Sequence, residues 1–436
     1  MLLIQNATVI DPKSGTETLG DILISGDKIQ KIAPRIEPPQ GAEIIDGSGL
    51  VAGPGLVDVH VHFRDPGLTW KEDILTGAAA AAAGGFTTVV MMANTKPPID
   101  SVETVQYVLS KGKEAPIHVE TCGTVTVGMQ GKELTDMSAL KDAGAVGFTD
   151  DGIPLLEPEI VRKAMARTAE LSVPISFHEE NPAYIENNGV NRGRASEHFG
   201  IGGSDRQAEI SMIERDIGLA VETGCCMDVQ HISTKEGVEL IRKAREEHPG
   251  LDIHAEATPH HIALTEEATI EHGTLAKMNP PLRTTADRLA IVEGLIDGTI
   301  DLIATDHAPH SVQEKAKPVT EAPSGIIGLE TALAVCVTEL VEPRYLTLCQ
   351  LMEKMAYNPA GMYHLDRGYL AEGGPADVVL FDPAESFVVG EHFCSKAVNS
   401  PFIGLTLKGV VRYTICGGKV VYENRSEQSN ENMMPG

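Results

Sequence analysis

The chain has 436 residues, more than one ordinary domain and enough for a large α/β barrel with a smaller partner. Hydrophobic residues make up 42% but aromatics only 4%, with Trp70 the single tryptophan, so the core must rest on Val, Ile, Leu, Met and Ala. A formal charge of −27, spread along the chain, repels phosphate backbones and argues against nucleic-acid binding; solubility is its simplest consequence.

The first stretch, MLLIQNATVIDP, has neither a basic lead nor a long apolar run, so no signal peptide is expected. LLIQNATVI alternates and DPKSG breaks it; DILISGDKIQKI reads as a hairpin turning at Gly26-Asp27. Near the other end, ADVVLFDP is followed by LKGVVRYTICGGKVVYE, turning at Gly417-Gly418. Residues 1–52 and 366–436 are therefore expected to build one β-sandwich together, with the polar tail after Asn424 fraying.

Residues 53–365 alternate strands and helices. Eight strand-like runs occur: LVDVHVHF, TTVVMMAN, PIHVETCGTVT, GAVGFTDD, PISFHEE, CCMDVQHIS, DIHAEATPHH and DLIATDHAPH. Helical patterns such as Glu157–Leu171 and Asp205–Thr223 separate most of them, and the alanine run Ala78–Ala83 fits a helix but is too short to span a membrane. This pattern predicts a (β/α)8 TIM barrel; the rival, an open doubly wound sheet, would not need eight strands. The seven cysteines (122, 225, 226, 336, 349, 394 and 416) are odd in number and form no CxxC, which favours reduced thiols in a cytoplasmic setting.

Metal-loving side chains gather at the C-terminal ends of those strands: His60 and His62, Asn94, Asp151, His178, His231 and Asp306. In a barrel these ends converge on one face. On a strand, residues two apart share a side, so both imidazoles of His60-Val61-His62 can grip one metal while Val61 packs outward. Taken one by one, each residue has a plainer role: a core histidine for His178 or His231, an N-cap for Asp306, a turn cap for Asp151. Together they form an N/O donor set suited to Zn²⁺, with Mn²⁺ or Co²⁺ as alternatives. Paired ions lower the pKa of a shared water toward ~7, and Asp306 can serve as general base.

DVHVHFRDPG, and ATDHAPH followed by EK and then GIIGLET, resemble the amidohydrolase superfamily and, within it, the type I dihydroorotases; the resemblance spans essentially the whole chain. It implies two zinc ions per chain: one held by His60, His62 and Asp306, the other by His178 and His231, with Asp151 bridging. The spacing to His178 selects Asp151 over Asp150 as that bridge. It implies further that Arg64 grips a substrate carboxylate, with His62, Phe63, Asn94, Asn279 and His310 around it and backbone contacts from Ser324 and Gly325. Family members usually carry Phe-Gly at the last pair, so Ser324 thins the apolar cover over a bound ring.

The reaction implied is the interconversion of N-carbamoyl-L-aspartate and L-dihydroorotate in pyrimidine biosynthesis, in a homo-oligomer, a dimer, with aspartate transcarbamoylase as a further partner. Rival readings are a hydantoinase- or allantoinase-like enzyme and a silent scaffold for that transferase. The first usually bridges its metals with a carboxylated lysine, which GAVGFTDDG lacks; the second loses ligands, and here every expected one is present. The polar, proline-containing stretch Lys315 to Pro323 is expected to be a flexible loop near the site.

Overall fold

The computed structural model describes residues 1–424, so the tail expected to fray lies outside the described residues. The alternating N-terminal segments become β1 (Leu2–Asp11), β2 (Thr16–Ser25), β3 (Lys28–Ala33), β4 (Glu43–Asp46) and β5 (Val51–Pro54). The β2–β3 hairpin turns at Gly26, whose φ of +63° is one that L side chains rarely adopt.

The barrel follows with β6 (Leu56–Val61), β7 (Phe86–Met91), β8 (His118–Gly123), β9 (Gly147–Thr149), β10 (Ile175–Phe177), β11 (Met227–Val229), β12 (Ile253–Ala257) and β13 (Leu302–Ile303). These eight strands are the eight predicted runs, hydrogen-bonded in sequence order. A parallel bridge between Val61 and His307, with the His62 amide donating to the His307 carbonyl at 2.9 Å, joins the first strand to the last. An open sheet is thereby excluded.

The chain then returns with β14 (Val378–Val388), β15 (Thr406–Cys416) and β16 (Lys419–Glu423). Both termini share one mixed sheet in the order β16-β15-β14-β5-β1-β2-β3, with β4 paired to β1. Leu2, Ile4 and Ile22 from one end pack with Val378, Leu380 and Ile415 from the other, so neither terminal segment buries its apolar face without its counterpart.

Helix Ile74–Ala83 explains the alanine tract. Asp73 caps it by accepting from the Leu75 and Thr76 amides. It lies so close to the end of β6 that a Cβ on Gly77 would stand 2.4 Å from the Phe63 ring. Only small residues permit that approach, which buries Phe63 completely and sets the direction of the segment carrying His62 and Arg64. The predicted helical patterns become helices Pro158–Leu171 and Gln207–Thr223. Among the described residues no helix is long and apolar enough to cross a membrane.

Candidate active site

The strand ends meet at a cavity of about 170 Å³. Two groups of possible ligands share one residue there: His60, His62 and Asp151 form one, and Asp151, His178 and His231 the other. Asp151 Oδ1 lies 3.6 Å from His60 Nε2, 3.4 Å from His178 Nδ1 and 3.6 Å from His231 Nε2, while its Oδ2 lies 3.4 Å from His62 Nε2. Asp306 joins them, its Oδ1 3.0 Å from His62 Nε2 and 3.7 Å from His60 Nε2. All six residues expected to hold metal are therefore in one cluster, and all six are buried. Asp150, the neighbour set aside in favour of Asp151, points elsewhere and accepts from the Val125 and Thr126 amides.

Backbone geometry at the mouth is unusual. Arg64, His231 and Asp306 have φ of 57°, 37° and 48°, a region non-glycine residues rarely occupy. Each sits just past a strand end, where the left-handed residue redirects the chain.

Three of the four imidazoles are oriented by a partner on the ring nitrogen away from the cluster. His60 Nδ1 lies 2.9 Å from Glu256 Oε2, His62 Nδ1 2.9 Å from Asn94 Oδ1, and His178 Nε2 3.0 Å from Glu180 Oε2. When each of these nitrogens carries the proton, the opposite lone pair faces the shared centre. His60 Nε2 has no hydrogen-bond partner, and His178 Nδ1 and His231 Nε2 confront each other at 2.9 Å. Converging lone pairs of this kind fit a cation between them.

The electrostatics agree. Burial disfavours a charged His178, but hydrogen bonds to Asp151 and Glu180 outweigh it and push the ring up to about 10. Burial likewise opposes a charged Asp151, yet the His60 charge and hydrogen bonds from His178 and His231 hold it well below the usual carboxylate range. The cluster demands positive charge at its centre, and its nitrogen and oxygen donors without thiolate suit zinc-like ions.

The rest of the cavity wall contains Arg64, Asn94, Asn279, His310, Ser324 and Gly325, as expected. Phe63, expected beside them, has its ring wholly buried against the helix and is not among the residues that line the cavity. Arg64 does not pair with Asp65, which accepts instead from the Tyr107 hydroxyl at 2.9 Å. Its Nε donates to the Pro309 carbonyl at 3.3 Å, and no carboxylate salt-bridges it among the described residues. Asn279 Oδ1 is buried without a hydrogen-bond partner.

His310 is held by both ring nitrogens. Nε2 donates to the Ser324 carbonyl at 2.8 Å, and Nδ1 accepts from Lys71 Nζ at 3.3 Å. Burial, with Arg64, Lys71 and Lys315 nearby, depresses its pKa to about 2, so it is neutral.

Sequence reasoning missed Glu256, Glu180, Gly152 and the lysines behind this wall. Glu256 carried a signal: an acid inside the apolar run IHAEA must face a partner in the barrel interior. The stretch Lys315 to Pro323, expected to be flexible, is instead tied down. Lys277 Nζ donates to the Val319 and Ala322 carbonyls, and Lys315 Nζ to that of Pro323.

Comparison with known proteins follows the same line. A family described as dihydro-orotase-like matches residues 49–237. A dihydroorotase from Clostridioides difficile (strain 630) is 53% identical over 97% of this chain and all of its own length. A dihydroorotase from Streptococcus pneumoniae serotype 4 (strain ATCC BAA-334 / TIGR4) is 52% identical over the same shares. Among solved structures, an L-hydantoinase (dihydropyrimidinase) from Arthrobacter aurescens matches with a TM-score of 0.86 at 27% identity, covering 98% of this chain and 96% of that one. A dihydropyrimidinase from Brevibacillus agri NCHU1002, at 23% identity and a TM-score of 0.83 over 97% and 95% of the two chains, shares the fold. Identity above one half with a complete relative, over nearly all of this barrel and its terminal sheet, makes the protein a member of the dihydroorotase family.

Proposed function

We propose that the chain interconverts L-dihydroorotate and N-carbamoyl-L-aspartate: water adds across a ring amide C–N bond in one direction and is lost in the other. The observation that carries this reading is the Arg64 guanidinium, free of any carboxylate salt bridge among the described residues and lining the same cavity as the two donor groups around Asp151. A guanidinium in that position is a bidentate receptor for the carboxylate that both substrates carry.

His60, His62 and Asp306 would hold one zinc ion and His178 and His231 a second, with Asp151 between them; Mn²⁺ or Co²⁺ fit the same donors. When bound, such ions acidify water to a pKa near ~7 and polarise an amide carbonyl. Asp306 engages His62 through Oδ1, leaving Oδ2 to accept the proton of the attacking water and return it to the departing ring nitrogen. In the synthetic direction the protonated Oδ2 assists loss of water. Arg64 anchors the α-carboxylate with Asn94 on the same wall, and the free Oδ1 of Asn279 meets a substrate N–H. The neutral His310 keeps the Ser324 carbonyl in place, and the Gly325 backbone stands beside it.

A hydantoinase-like specificity is disfavoured because the bridging position is Asp151, with no lysine on or just after β9. The family resemblance extends the proposal to a cytoplasmic homodimer able to associate with aspartate transcarbamoylase, which sedimentation of the protein alone and mixed with that enzyme would test. The central experiment is metal analysis of purified protein coupled to a spectrophotometric assay of ring opening. About two metals per chain with turnover of L-dihydroorotate supports the reading. Metal-loaded protein that opens hydantoin but not dihydroorotate rejects the substrate.

A further inference from the structure

Two lysines that the proton transfers do not use lie buried behind the substrate wall. Lys277 and Lys315 are only 5% and 4% exposed. Neither ammonium is paired with a carboxylate among the described residues; Glu314, beside Lys315 in sequence, pairs with Lys71 at 2.7 Å. Their partners are main-chain carbonyls. Lys315 Nζ donates to Gly325 at 2.9 Å, Pro323 at 3.0 Å and Lys277 at 3.4 Å. Lys277 Nζ donates to Ala322 at 2.7 Å and Val319 at 2.8 Å.

These bonds have a common geometry. Residues 316–325 include no regular element, so their buried carbonyls need donors from elsewhere. An ammonium has three donors and can gather several carbonyls at one point. Here the gathered carbonyls belong to the loop that ends in Ser324 and Gly325 and to the segment that continues from Lys277 to Asn279. The Gly325 amide donates to the Lys277 carbonyl at 2.9 Å, closing the two segments on each other. Asn399, from the chain's return to the terminal sheet, bonds the Gly325 carbonyl at 3.0 Å and the Ala308 carbonyl at 3.2 Å. Both joined segments line the cavity, and the Ser324 carbonyl is what holds His310.

We propose that Lys315, with Lys277, is a positioning residue for substrate recognition: the two buried amino groups clamp residues 316–325 so that Ser324 and Gly325 stand at a set distance from Asn279 and His310. Burial pushes the Lys315 ammonium down to about 7 and lowers that of Lys277 as well, a cost that a solvated loop would avoid. The cost is understandable where the loop must present backbone groups to a small ring without adjusting on each encounter.

This inference rests on the cavity being the dihydroorotate site, and the test separates the two claims. Lys315→Met and Lys277→Met are made in the full-length, metal-loaded enzyme. KM for L-dihydroorotate is expected to rise about tenfold or more in each, with kcat within about threefold of wild type. Metal content should not change, and amide hydrogen exchange in residues 316–325 should quicken while the barrel strands keep wild-type rates. Unchanged KM and unchanged loop exchange overturn the clamp, as does a parallel loss of metal and kcat, which would mean general collapse. Should Lys315→Met fail to fold, Lys277→Met decides, because its bonds reach the same loop. If the wild type does not act on dihydroorotate, the substrate reading fails, and the exchange comparison alone decides the clamp.

Discussion

His62 Nδ1 lies 2.9 Å from Asn94 Oδ1, and that contact turns the opposite nitrogen toward Asp306 at 3.0 Å. The Asn94 amide nitrogen in turn approaches the Asp151 carbonyl at 3.2 Å and its carboxylate Oδ2 at 3.3 Å. One side chain thus orients a histidine and the shared carboxylate together. Glu256 does the first of these jobs for His60. Asn94→Ala and Glu256→Ala should each weaken metal retention by roughly 10–100-fold. Competition against a chromophoric chelator measures it, and wild-type retention in both would reject the orienting role.

Asp306→Asn should lower kcat by roughly 10²–10⁴-fold, because the amide cannot accept and return a proton. The variant is a fair test because the residue sits at φ 48°, where Asn is among the best-tolerated side chains. Circular dichroism and the thermal midpoint should match wild type. A folded variant with normal turnover would remove Asp306 from the chemistry.

Arg64→Met should raise KM for dihydroorotate by about 10²-fold, on the order of 2–3 kcal/mol, through loss of a charge-assisted bidentate contact. Arg64→Lys should recover only part of this, since an ammonium is a point donor. Bound metal should be unaffected, as among the described residues the guanidinium bonds the Pro309 carbonyl, approaches His310 Nε2 and salt-bridges none of the ligands. Equal kinetics for the Met variant and wild type would move the carboxylate site elsewhere.

At the start of β12, on the barrel face away from the catalytic mouth, His254 Nδ1 lies 2.5 Å from Asp301 and Nε2 3.3 Å from Asp252. Burial opposes the charged ring, but bonds to Asp252 and Asp301 outweigh it and push the pKa from 6.5 up to about 12. A group raised on folding stabilises fully below its unfolded value and loses that contribution as pH climbs toward its folded value. Unfolding free energy should therefore fall between pH 6.5 and about 9, by up to roughly 3 kcal/mol. His254→Gln should flatten that slope in urea titrations at several pH values; an identical slope would show that the ring is not charged.

Much of the site was readable before any fold. His60 and His62 are two apart on a strand, and His178, His231 and Asp306 each end an apolar run; both are local patterns, set by a period of two and by where apolar residues stop. The loop at Lys315 to Pro323 misled because polar, proline-containing composition resembles a mobile segment, whereas its order comes from lysines reaching over it. The placement of the Phe63 ring was not legible either: adjacency to His62 in sequence says nothing about Gly77, whose missing side chain leaves room for the ring under the helix.

By itself, the sequence determined the eight strands, the joining of both termini in one β-rich unit, and the residue types able to grip cations, because alternation and strand-end chemistry are written in neighbouring residues. Only the tertiary structure decided which groups meet. His60 and Glu256 are separated by 196 positions, and Asp58 and Thr305, whose amide and hydroxyl both bond its carboxylate, by 247. Such pairs are chosen by how a twisted sheet closes on itself, and closure is a property of all eight strands at once.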